Sequence, residues 1–188
     1  MLLLVFIAGF TSLLIWHIIN QENVEKPIFN PDINARNFHK EDFRGLYANE
    51  LVAEIKSYKN KHPVFIYLYT TWCGVCADQF SDINKLAHNM QNSNLKFYSI
   101  AIDRNLTIDK IYTHFSSKGS LFFRPHFLIN KNGFIEFVEE IGGNYNGAIP
   151  FLMIIDIEGN IHWERQGKAS YQKIINKINE TKGLSINN

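Results

Sequence analysis

The chain has 188 residues, 46% hydrophobic and 20% charged, which is enough to bury one core and carry one appendage. Its formal net charge is +1 and its Lys and Arg residues do not gather into blocks, so nothing in it supports a nucleic-acid partner. Its two cysteines are too few for a disulfide framework and lie too close together to staple a fold, so they read as chemistry.

Residues 1–19 (MLLLVFIAGFTSLLIWHII) contain no Asp, Glu, Lys or Arg and are long enough to cross a bilayer as a helix, which takes about 20 residues. Trp16 and His17 suit the membrane interface, and no small-x-small cleavage pattern follows, so an uncleaved transmembrane anchor is the first reading. A cleaved signal segment and a buried core helix are the alternatives. Lys26, Arg36 and Lys40 follow the segment and weakly favour keeping the rest of the chain in the cytosol. Long domains translocate largely regardless of so small a bias, and a cysteine pair is most useful where disulfides persist, so an extracytoplasmic domain is expected.

Residues 20–43 are polar, contain Pro27 and Pro31, and read as a tether, with the folded domain over 44–188. Leu51, Val52, Ile55 and Tyr58 recur at helical spacing, and Pro63 stops that helix. Val64–Tyr69 (VFIYLY) is continuously apolar, the pattern of a central strand buried on both faces. Directly after it comes Thr71-Trp72-Cys73-Gly74-Val75-Cys76, and then Phe80, Ile83, Ala87 and Met90 on one helical face. A C-x-x-C at the head of a helix meets free N–H groups and positive dipole potential that favour a thiolate, which points to thiol–disulfide chemistry.

Lys96–Asp103 predicts a second buried strand and Ile108 to about Ser117 a helix, an order that implies parallel strands with helical crossovers. Phe127–Ile135 and Met153–Ile161 each show an apolar run, a polar turn with glycine and a second apolar run, and both predict hairpins. Tyr171 to about Lys182 predicts a terminal helix through Ile174, Ile175 and Ile178. The seven histidines are scattered, and His126 and His162 lie in strand-like runs where core or surface roles outweigh metal ligation.

Trp72-Cys73-Gly74-Val75-Cys76, the strand before it and the later Ala148-Ile149-Pro150 with Phe151–Asp156 resemble the thioredoxin superfamily. The apolar N-terminal segment and the extra segment before the proline loop narrow the resemblance to the TlpA/ResA branch, the extracytoplasmic thiol–disulfide oxidoreductases of bacteria. The resemblance implies an α/β fold, a three-layer α/β/α sandwich with a mixed central sheet, here preceded by a transmembrane helix. It places the chain as a single-pass protein of the bacterial inner membrane with its domain in the periplasm, or as a periplasmic protein if the segment is cleaved.

The activity implied is exchange of disulfides with protein substrates, as a reductant drawing on a membrane electron donor and serving cytochrome c maturation. Cys73, at the solvent-facing edge of the helix start, is the expected nucleophile, and Cys76, one turn further in, resolves the mixed disulfide. Trp72, Gly74 and Val75 flank the pair at the site's surface. Pro150 is the expected cis-proline, with Ile149 touching substrate. Pro125 is expected to be an ordinary strand-edge proline. The redox-active disulfide is the sole prosthetic element, and no metal is expected because a zinc or copper site wants further ligands and there is no second Cys pair. A disulfide-forming oxidase and a copper-handling or binding module are the alternatives. Two positions depart from the pattern: Tyr67 stands where thioredoxins carry a buried carboxylate, and Gln79 where ResA-like proteins carry a glutamate.

Overall fold

A computed structural model describes residues 39–119, 121–130 and 132–186. The expected anchor over 1–19 and most of the tether over 20–43 lie outside these residues. Among the described residues no helix is long and apolar enough to cross a membrane.

Strand β2 (Val64–Tyr69) is the axis of the domain, and all six of its residues are buried. Side chains alternate across a strand. Phe65, Tyr67 and Tyr69 therefore enter one half of the core, and Val64, Ile66 and Leu68 the other. Strand β2 pairs in parallel with β3 (Lys96–Ala101) and antiparallel with β5 (Phe151–Ile155). With β1 (Arg44–Tyr47), β4 (Pro125–Asn130) and β6 (Ile161–Gln166), the sheet has the order β1-β4-β3-β2-β5-β6. Its first four strands are mutually parallel and β5 and β6 run antiparallel to their neighbours, so the sheet is mixed.

Helices α2 (Gly74–Asn89), α3 (Ile108–Ser116) and α5 (Tyr171–Asn179) cover one face through Ile83, Leu86, Phe115 and Ile174. Helices α1 (Ala48–Ser57) and α4 (Asn132–Glu140) cover the other through Leu51, Ile55, Phe134 and Phe137. The result is a three-layer α/β/α sandwich of the thioredoxin type.

The second expected hairpin is present as β5 and β6, turning at Gly159, whose φ is 86°. The first is not. After β4 the chain enters α4, where Phe134, Phe137 and Val138 are buried at helical spacing. Glu136, Glu139 and Glu140 take the remaining positions, a period of 3.6 that becomes legible only when the run is read past Ile135. Strand β1 is a further element the sequence pattern does not announce. It is four residues long, at an edge, and held in parallel to β4 by long-range pairing. Gly45 sits there because a Cβ would lie 2.7 Å from the Phe127 ring. Phe43, assigned to the tether, is 5% exposed and packs its ring 6.0 Å from Phe115.

His126 on β4 is 6% exposed beside the Tyr98 ring, 5.3 Å away. Burial pushes its imidazole down to about 4, with Arg124 and Arg44 adding to the shift and Glu54 opposing it. Near neutrality the ring is uncharged in folded and unfolded chains alike. As pH falls from about 6.5 towards 4, the unfolded chain takes up a proton that the folded chain refuses, so stability should drop by about 3 kcal/mol. His126→Phe should remove that slope. Urea midpoints between about pH 7 and 4.5 test this, and an undiminished slope in the variant would rule the assignment out.

Candidate active site

Strand β2 delivers the chain to the cysteine pair through a turn held at two points. The Cys73 N–H donates to the Thr70 carbonyl at 3.3 Å. Thr71 donates its N–H to both oxygens of Asp103, at 3.1 and 3.0 Å, and its hydroxyl to Oδ1 at 2.6 Å. Asp103 lies just past the end of β3, so this carboxylate ties the turn before the cysteines to the neighbouring strand.

Cys73 is the N-cap of α2, and its Sγ accepts the Cys76 N–H at 3.1 Å. The two cysteines form a disulfide, with Cα atoms 5.2 Å apart. Once the bond is opened, a thiolate on Cys73 would keep that N–H and the positive end of a 16-residue helix, both of which lower a thiol pKa. Cys73 is less open to solvent than its position suggests: it is 9% exposed and Cys76 3%. The capping side chain turns back onto the helix, and the flanking residues meet solvent instead, Trp72 being 74% and Val75 49% exposed.

The two departures from the family pattern have definite roles. Tyr67 donates its hydroxyl to the Cys76 carbonyl at 3.1 Å, and burial pushes its phenol well above the usual range, so it takes no proton from a thiol near neutrality. Gln79 is wholly buried. Its carboxamide accepts the Ala169 N–H and donates to the Ala169 carbonyl, each at 2.8 Å, which fastens α2 to the segment before α5.

The Ile149–Pro150 peptide bond is cis. Pro150 is buried and its carbonyl accepts the Gly167 N–H at 2.8 Å. The loop before it hangs from β6: Glu164 accepts the Asn144 N–H at 3.1 Å, and Gln166 donates to the Asn144 carbonyl at 3.0 Å. Pro125 opens β4 opposite Ser99.

A cavity of about 500 Å³ opens beside the disulfide turn, and its walls include Trp72, Ile149 and Asp103. Trp72 and Ile149, far apart in sequence, thus share one surface. Gly74 and Val75 face solvent on the helix start and Pro150 lies beneath, outside that lining. Asp103 is the site residue that sequence reasoning missed. Its signal was an acid closing an apolar strand run one strand away from the cysteines.

Among the solved structures similar in fold are the following three. A thiol:disulfide interchange protein of the thioredoxin family from Chlorobium tepidum TLS matches with a TM-score of 0.54 and 21% identity, over 67% of this chain and 83% of that one. A DsbF homologue from Corynebacterium diphtheriae matches with a TM-score of 0.52 and 14% identity, over 66% of this chain and 74% of its own. The pneumococcal exposed lipoprotein thioredoxin Etrx1 from Streptococcus pneumoniae TIGR4 matches with a TM-score of 0.50 and 16% identity, over 67% and 89%. No curated protein matches the sequence. The AhpC/TSA family profile matches residues 35–164, more than half of the chain, and the protein belongs to that family.

Proposed function

We propose that the chain is a thiol–disulfide oxidoreductase that reduces disulfides of protein substrates outside the cytoplasm. The observation that carries the reading is the Cys73–Cys76 disulfide capping α2, beside a cavity that brings Trp72 and Ile149 together. The Cys73 thiolate attacks one sulfur of a substrate disulfide. A mixed disulfide forms, the substrate bond breaks, and the released thiolate takes a proton from solvent. Cys76, once deprotonated, attacks Cys73 Sγ; the Cys73–Cys76 bond forms and the second substrate thiolate leaves and is protonated.

Two electrons thus pass to the substrate, and an external dithiol must return the pair to its reduced state. In this reading Ile149 contacts substrate beside Pro150, and Trp72, Gly74 and Val75 shape the approach to Cys73. Residues 1–19 anchor the chain in a bacterial inner membrane, 20–43 tether it, and 44–188 form the domain on the periplasmic side, where a membrane electron donor supplies the dithiol. Cytochrome c maturation is the process in which its substrate is to be sought.

Equilibrating the full chain with glutathione buffers and following the Cys73–Cys76 bond tests the proposal. A potential below about −250 mV is the expected result, a value near −120 mV would make the chain an oxidant, and failure to form the bond reversibly would end the reading.

A further inference from the structure

The cavity beside the disulfide is rimmed by two cations. Arg104 and Lys110 line it and both are exposed. Neither belongs to any of the ion pairs among the described residues. The carboxylate in the same wall, Asp103, accepts three hydrogen bonds from Thr71. Asp109, next to Lys110 in sequence, is paired with Lys40. Lys110 Nζ donates to the Asn105 carbonyl at 3.5 Å, a neutral partner, so the wall carries two cations whose charge is not paired against the one carboxylate, Asp103.

Beside them the wall is apolar, formed by Trp72, Ile149 and Leu106. A second cavity of about 370 Å³ adjoins the first: Ile102, Asp103, Arg104 and Leu106 line both, and it continues to Ile129, which is 53% exposed. The two make an extended concave surface, a groove, at the C-terminal ends of β3 and β4, with Arg104 in the wall they share. A concave surface spread over two adjoining cavities suits an extended chain rather than a small disulfide.

We infer that this groove selects substrates: its occupant is an extended segment of a substrate protein carrying carboxylates next to the reactive cysteine, received by Arg104 and Lys110. The inference rests on the oxidoreductase reading for its setting. Recognition by charge complementarity acts mainly on encounter and choice of partner.

The test uses the full chain, reduced with dithiothreitol, and cystine-linked peptides that differ only in two Glu or two Gln residues flanking the cysteine. The Glu peptide should be reduced about tenfold faster at low ionic strength, a ratio that two solvent-exposed ion pairs can supply. It should fall towards one near 1 M salt, where the screening length shrinks to about 3 Å. Arg104→Glu should abolish or invert the ratio, and Lys173→Glu, an equal charge change on the exposed face of α5, should leave it in place. Equal rates in the unaltered chain, or a ratio that survives Arg104→Glu, would overturn the inference.

Binding of the same peptides with serine for cysteine, read by fluorescence anisotropy, separates the two ideas. A chain that prefers the Glu peptide yet reduces neither keeps the groove and loses the oxidoreductase. One that reduces both at a single rate loses the groove alone.

Discussion

Cys73→Ser is expected to abolish turnover of a protein disulfide, a loss of more than about 10³-fold, because the first bond to substrate can form at no other atom. The thiol that remains, Cys76, is 3% exposed and so is shielded from a substrate disulfide. Cys76→Ser should fail differently. The first exchange still proceeds, the mixed disulfide on Cys73 has no resolving thiol, and a covalent complex with substrate accumulates. Non-reducing electrophoresis and intact mass would show that complex with Cys76→Ser and not with the double variant. If the double variant kept its function in cells, the domain would be a binding module and the disulfide incidental.

Gln79→Leu should be a costly change on α2. It removes one donor and one acceptor at once and leaves the N–H and C=O of Ala169 facing an apolar side chain in the core. An unpaired buried group costs about 1–3 kcal/mol, so the loss should be about 2–5 kcal/mol in urea unfolding. Gln79→Glu is the more informative partner. The glutamate can still accept the Ala169 N–H, but when ionised it turns a second oxygen towards the Ala169 carbonyl, with Asp82 Oδ2 also near the carboxamide nitrogen, at 3.4 Å. Its carboxyl should therefore titrate above the usual range. Below the unfolded-state value the protonated acid can donate to Ala169 and the variant should regain stability, which it loses again as pH rises through the raised folded value. Gln79→Leu should show no such recovery. Equal stability of all three proteins near neutrality would mean that the clamp contributes nothing.

The same residue accounts for a departure from the pattern that the ResA-like resemblance implies. Position 79 is wired to a backbone amide that needs a donor and an acceptor together, a demand that a carboxamide meets and a carboxylate does not. Its partner lies 90 residues away, and no local pattern in the sequence encodes that distance. The same holds for Thr71 and Asp103, 32 residues apart.

Features set by short-range pattern were legible. Strand β2 is one continuous apolar run, α2 follows the C-x-x-C, and the β5–β6 hairpin carries its own glycine turn. Strand β1 was not legible, because four residues at an edge take their conformation from pairing with β4 rather than from composition. Helix α4 was misread because Gly133-Phe134-Ile135, taken alone, fits a strand as well as a helix, and the glutamates that decide the period come later. The cysteines could be named from sequence, whereas the cavity beside the turn that precedes them could not, because its lining comes from three separate stretches of chain.

That difference in range has a consequence for a chain still being made. The disulfide joins residues with a sequence separation of 3, so it can close as soon as the helix start exists. The cavity needs Thr70, Asp103 and Ile149 together, and so waits until β3, the proline loop and the β6 side chains that hold that loop are in place. Contacts of such long range are the last to form. On the proposed reading, a nascent chain would hold a pair able to exchange electrons before the groove that selects its partners is complete, and in that interval its cysteines would be open to any thiol in reach.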